Sequence, residues 1–220
     1  MRILFFLFLI LAFTSCDHPK KPYIEELTWP KRTVKLDNDL GILTIRLPEE
    51  FDTFYTFRYE SDNICGDYKK YRFQNSKFPV LKESGGYISH TVDSLKIFTI
   101  EQNIYACSEG ITMDSLKLKI ITKNHIEHLK ANDRSRSPIL KMSRIDTFNG
   151  KPFFIIAHEN GELYHIKDSV KNLKSAKLMT YTRVNKYHIL NLNFDCAASN
   201  CDSFIPKMYK ALKTVQIKPN

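Results

Sequence analysis

The sequence predicts an α+β fold, mainly an antiparallel sheet with helices packed on it. Three observations carry that expectation. Apolar/polar alternations of strand period recur between residues 33 and 217. Glu159-Asn160-Gly161 stands between two such runs as a hairpin signal, because Asn-Gly readily takes positive φ. Phe204, Ile205, Met208 and Leu212 form one stripe of an amphipathic helix near the C-terminus.

Along the chain, Thr33 to Leu36 and Gly41 to Leu47 read as two strands around the turn Asp37-Asn38-Asp39. In the second, Ile42, Thr44 and Arg46 alternate with Leu43, Ile45 and Leu47. Phe51 to Tyr59 is aromatic-rich. Phe54, Tyr55 and Phe57 cannot share one face of a strand, and core positions are favoured over an exposed surface for stacking on sugars or gripping a protein. Tyr68 to Phe73, Asp93 to Glu101 and Leu116 to Thr122 are further strands. The last is read from Leu116, Leu118 and Ile120 alternating with Lys117 and Lys119. Asn124 is a plausible N-cap for a short helix to Ala131, and Ser137-Pro138 opens another helical turn.

Lys151 to His158 and Glu162 to Lys167 flank the Asn160-Gly161 turn. Lys177 to Val184 and Tyr187 to Asp195 form two more strands, with Leu190, Leu192 and Phe194 facing one way and Asn191 and Asn193 the other. Asp202 caps a helix of Ser203 to Leu212, where Pro206 sits in the first turn and its missing N–H costs least. Thr214 to Ile217 is the last strand. This order of hairpin, two strands, helix and terminal strand, with an early strand ending in Leu47-Pro48-Glu49, resembles the PsbP-like and DcrB-like superfamily over residues 40–218. The resemblance implies an α/β/α sandwich around an antiparallel sheet. It also implies a non-enzymatic assembly, binding or envelope role.

The N-terminus reads Met1-Arg2, an apolar run from Ile3 to Phe13, then Thr14-Ser15-Cys16. The run has the length of a signal h-region and falls short of the roughly 20 residues that span a bilayer. It resembles the lipobox of bacterial lipoproteins, with Phe13 where that pattern usually has Leu. The resemblance implies cleavage before Cys16 and acylation of its sulfur, palmitate included. The protein would then be held by lipid in the cell envelope, on a periplasmic face or at the outer membrane. The division expected is signal peptide 1–15, lipidated tether 16–32 carrying Pro19, Pro22 and Pro30, and one α+β domain over 33–220.

Hydrophobic residues are 43% and charged residues 26% of the 220, a globular balance rather than a disordered one. Lys and Arg number 33 against 24 acidic residues, a net charge of +9. A basic envelope protein meets anionic lipid headgroups, acidic glycans or an acidic envelope protein. The secretion signal argues against nucleic acid. Four further cysteines, Cys65, Cys107, Cys196 and Cys201, suggest two disulfides in an oxidising compartment, with three possible pairings. Cys196–Cys201 is favoured because only four residues lie between them, which leaves Cys65–Cys107. That second bridge would close a loop of about 40 residues and contribute roughly 3–4 kcal/mol. Zinc on Cys-x4-Cys is the weaker alternative, since no histidine stands near.

Catalytic signals are sparse. His125 and His128 share a face if helical and would supply two metal ligands without a convincing third. His158, Glu159, Glu162 and His165 surround the expected hairpin and read first as polar turn residues. His188 shares strand parity with Leu190 and Leu192 and reads as a core histidine. Ser84-Gly85-Gly86-Tyr87 lacks the P-loop lysine and reads as a turn. No catalytic residue, metal or cofactor is expected. The leading expectation is a lipid-anchored envelope protein that acts by binding. The alternatives are an immunity lipoprotein that neutralises a toxin, and a hydrolase of envelope polymers, which needs a cleft with converging histidine and carboxylate groups.

Overall fold

The computed structural model describes residues 28–59, 68–77, 83–84, 87–88, 94–104, 114–131, 135–166, 169–198 and 200–219. The expected signal peptide, Cys16, Cys65, Cys107, Gly85 and Gly86 lie outside them.

Twelve strands and two helices are present among these residues. β1 is Lys31–Lys35, β2 Ile42–Arg46, β3 Thr53–Tyr59, β4 Tyr68–Gln74, β5 Glu83–Ser84, β6 Tyr87–Ile88 and β7 Ser94–Ile104. Helix α1 is Ser115–Ala131. After it come β8 Ser135–Phe148, β9 Lys151–Ile166, β10 Ser169–Arg183, β11 His188–Ala198, α2 Phe204–Leu212 and β12 Gln216–Lys218. Seven strands make one sheet in the order β3-β4-β7-β11-β10-β9-β8, and β1-β2-β12 make a second. Every pairing is antiparallel, including the short β5–β6 ladder.

The main core lies between the large sheet and a layer built from α2 and the small sheet. Phe98, Ile100, Leu190, Leu192 and Phe194 on one side meet Leu43, Ile45, Met208 and Leu212 on the other, all of them at or below 1% exposure. Trp29 belongs to this core, so the packed body begins ahead of β1. The β1–β2 turn is tied to the large sheet at Asp37. Its N–H donates to Gln102 Oε1 at 3.0 Å, and its carboxylate accepts from Lys69 Nζ at 2.7 Å. Helix α1 packs on the opposite face, where Leu118 joins Phe154 and Ile156. Helices therefore cover both faces of an antiparallel sheet, the α+β class that the alternations predict.

Four local expectations are corrected. Leu116 to Thr122 is helix, not strand, and it is continuous with Asn124 to Ala131. The alternation of leucines and lysines fits a strand, but Leu118, Thr122, His125 and Leu129 also recur at helical spacing. Asp114 starts the helix: Lys117 N–H donates to its Oδ1 at 2.8 Å and Leu118 N–H to its carbonyl at 3.1 Å.

The hairpin turn is at Asn149-Gly150, not at Asn160-Gly161. Asn149 has φ 48° and Gly150 φ 78°, the pair of positive angles that a two-residue turn requires. Asn149 Nδ2 also donates to the Val215 carbonyl at 2.6 Å. Asn160 stays extended opposite Ser175, and Gly161 lies between Lys174 and Arg136, because β9 has ladder partners on both sides there. Ser137 and Pro138 belong to β8 rather than a helical turn, and the register shifts between Arg136 and Ile139. That bulge accommodates a proline with no N–H to give the ladder.

Asp202 does not cap α2. Ser203 is the N-cap and makes no side-chain cap bond, while Asp202 accepts from Lys174 Nζ at 2.8 Å. In the aromatic segment Phe51 is fully buried, Phe54 is 46% exposed on edge strand β3, and Tyr55 and Phe57 are half-buried.

Candidate functional site

Strand alternation divides the large sheet into the apolar face of the main core and a mixed face, where polar side chains stand beside a small apolar cluster of Leu95, Ile97 and Ala197. On β11 Leu190, Leu192 and Phe194 point into the main core, so Asn191, Asn193 and Asp195 point away from it. Cross-strand register carries the same division through the sheet. Asp195 faces Lys177, Asn193 faces Met179 and Thr99, and Asn191 faces Tyr181 and Glu101. Beyond β7, Thr99 faces Arg72 and Glu101 faces Lys70.

Two ion pairs lie on this face. Lys177 Nζ is 3.5 Å from Asp195 Oδ1, and Lys70 Nζ is 3.0 Å from Glu101 Oε1. Arg72, 1% exposed, stacks its guanidinium 4.8 Å from the Phe57 ring centre. Asn191 and Asn193 each have a buried Oδ1 with no hydrogen-bond partner among the described residues, while the residues themselves are half-buried. A buried amide oxygen left unpaired costs roughly 1–3 kcal/mol, so both oxygens are sites where a hydrogen-bond donor would stabilise the protein.

At the β9 end the face passes under α1. Thr122 Oγ1 lies 2.8 Å from Ser143 Oγ. One turn further, His125 Nε2 lies 3.3 Å from Nδ1 of His158, which is fully buried. Burial first, then the charges of Lys177 and His128, holds the His125 imidazole below its ordinary pKa. This pair joins one histidine from each of two motifs that the sequence kept apart. His128 is exposed on α1 one turn from His125, and Glu162 and His165 continue β9, His165 one residue before its end at Ile166. Reading residues 115–131 as helix puts His125 on the inward stripe with Leu118. His158 likewise falls in strand phase with Phe154 and Ile156, and those two patterns together were the available signal. His188 opens β11 half-buried, with Nδ1 3.0 Å from Asn185 Oδ1, and burial lowers its pKa.

Cys196 and Cys201 form a disulfide that joins the end of β11 to the connection before α2, their Cα atoms 6.1 Å apart. Beside it a cleft of about 280 Å³ is lined by Ile139, Glu159, Asn160, Gly161, Lys174, Ser175, Cys201 and Asp202. Its carboxylates are held by lysines, Glu159 by Lys141 at 2.8 Å and Asp202 by Lys174 at 2.8 Å, and its lining has no histidine. Among the described residues no three His, Cys, Asp or Glu side chains converge on a metal position. No helix among them is long and apolar enough to cross a membrane. The site offers amide groups and fixed charge pairs.

The chain matches no protein-family profile and no curated protein sequence. Solved structures similar to it include the solution structure of PsbP from the cyanobacterium Synechocystis sp. PCC 6803. It has 10% identity and a TM-score of 0.45, over 86% of this chain and 92% of that one. Protein PA94 of unknown function from Pseudomonas aeruginosa is similar at 8% identity and a TM-score of 0.37, over 86% and 99% of the two chains. A Bacteroides thetaiotaomicron structure is similar at 10% identity and a TM-score of 0.34, over 81% of this chain and 46% of that one.

Proposed function

We propose that the protein is a lipid-anchored component of a bacterial cell envelope that acts by binding, with the polar face of the large sheet as its recognition surface. The observation that carries the binding reading is the pair of unpartnered oxygens, Asn191 Oδ1 and Asn193 Oδ1, set between the Lys177–Asp195 and Lys70–Glu101 ion pairs. Four strands hold this arrangement, so the acceptors are rigid before a ligand arrives. Its partner is an envelope protein or an anionic glycan that brings hydrogen-bond donors. Support for the location comes from the lipobox-like Thr14-Ser15-Cys16 after an apolar run, and from a disulfide of the kind kept in oxidising compartments.

Affinity capture from detergent-solubilised membranes tests both parts. The wild-type chain should take up labelled palmitate and retain a stoichiometric partner. Cys16→Ala should release the protein to the soluble fraction, and Asn191→Leu with Asn193→Leu should lose the partner while keeping the anchor. A Cys16→Ala protein that stays membrane-bound, with no palmitate on the wild type, refutes the anchor. Undiminished capture by the double variant refutes the face.

A further inference from the structure

Helix α1 carries two apolar faces, and the core uses only one. The inward stripe holds Leu118, Thr122 and His125, which meet Phe154, Ser143 and His158. On the opposite side Leu116 is 68% exposed and Ile120 46% exposed. They are four residues apart and so form one ridge. Lys119 and Lys130 are exposed beside that ridge, and the Lys123 side chain is 74% exposed within it. The acids near these lysines are engaged. Asp114 caps the helix, and Glu127 is 3.8 Å from Lys123.

We infer that the outward face of α1 lies on an anionic lipid surface, with Leu116 and Ile120 inserted among the headgroups and Lys119, Lys123 and Lys130 against the phosphates. The inference deepens the membrane location proposed above and rests on it. Its arguments are charge complementarity and geometry. The chain carries net +9, and the described helix presents lysines around an apolar ridge in the pattern of an interfacial helix. Seventeen residues make a contact about 25 Å long, parallel to the surface. Solvated lysines alone would need no apolar ridge between them. A protein-binding groove partner would favour a wider apolar stripe with fewer cations.

The test is sedimentation of the full chain carrying Cys16→Ser with vesicles of phosphatidylcholine alone or with about one-third phosphatidylglycerol. The unacylated background removes the anchor, and the leader is common to every variant. Binding should be stronger to the anionic vesicles and weaken with salt. Leu116→Ser with Ile120→Ser should reduce it about tenfold. Lys119→Gln with Lys123→Gln should reduce the preference for anionic vesicles about thirtyfold, while Asn124→Ser should bind as the parent does. All five substituted helix sites are exposed, and matching thermal melts will establish that the variants fold. Equal sedimentation of all variants, or no binding to anionic vesicles by the parent, overturns the inference. Palmitate labelling of the wild-type chain is scored separately, so a failed lipid face is distinguishable from a failed anchor.

Discussion

His125 Nε2 and His158 Nδ1 face each other at 3.3 Å, their ring centres 4.8 Å apart, and so connect a helix to a sheet through a single proton. One nitrogen donates and the other accepts while the pair is neutral. A proton added to the acceptor leaves two N–H groups opposed beside the Lys177 ammonium, in a place water does not reach at His158. The nearby charges do not offset this: His128 is on the same helix, and Asp195 is occupied by Lys177.

Acid should therefore loosen α1. The folded pKa of His125 is below its ordinary 6.5, so the unfolded chain binds the proton more readily. Stability is complete above 6.5 and is lost as the pH falls from there through the folded value. Urea unfolding at pH 7.5 and pH 5.0 should show a larger fall in midpoint for wild type than for His125→Leu. Equal falls would remove the pair from the account.

Gly41 should tolerate no side chain. Its φ is 100°, and a Cβ there would sit 1.9 Å from the Lys218 carbonyl oxygen, where β12 pairs with the start of β2. Gly41→Ala must move backbone as well as adopt a strained angle, so a loss of roughly 2–3 kcal/mol is expected by thermal or urea unfolding. A wild-type melt would show that β12 is not held at this distance.

The two Asn-Gly pairs offer a direct comparison. Gly150→Ala, at φ 78° with open space around its Cβ, should cost about 1 kcal/mol through backbone strain alone. Gly161→Ala lies in extended strand and should cost far less. Denaturant titration of both variants checks the placement of the turn, and the reverse order would move it back to Asn160-Gly161.

Removing the Cys196–Cys201 disulfide as Cys196→Ala with Cys201→Ala should destabilise by roughly 2 kcal/mol, the value for so short a loop. Unreduced wild type and the double variant are compared by urea midpoint. No difference would mean that the bridge does not constrain the unfolded chain.

Much of the sheet was legible because burial on one face leaves a period of two in the sequence. Leu190, Leu192 and Phe194 alternate with Asn191 and Asn193 for that reason, and the polar face of the candidate site follows from the same alternation. Helix α2 was legible too, since Phe204, Ile205, Met208 and Leu212 keep one stripe against a core that demands it. Helix α1 was not. It buries little, and apolar residues on its outward side, Leu116 and Ile120, complete a strand-like alternation with Leu118.

Residue order was enough for the fold class and for the strand faces of β11. These depend on local periodicity and on short contiguous motifs. Tertiary structure alone decided which Asn-Gly turns, because both are competent and only strand pairing on both sides of β9 keeps one extended. It alone brought His125 to His158, 33 residues apart. Contacts of that range are set by how elements pack, which no local pattern encodes.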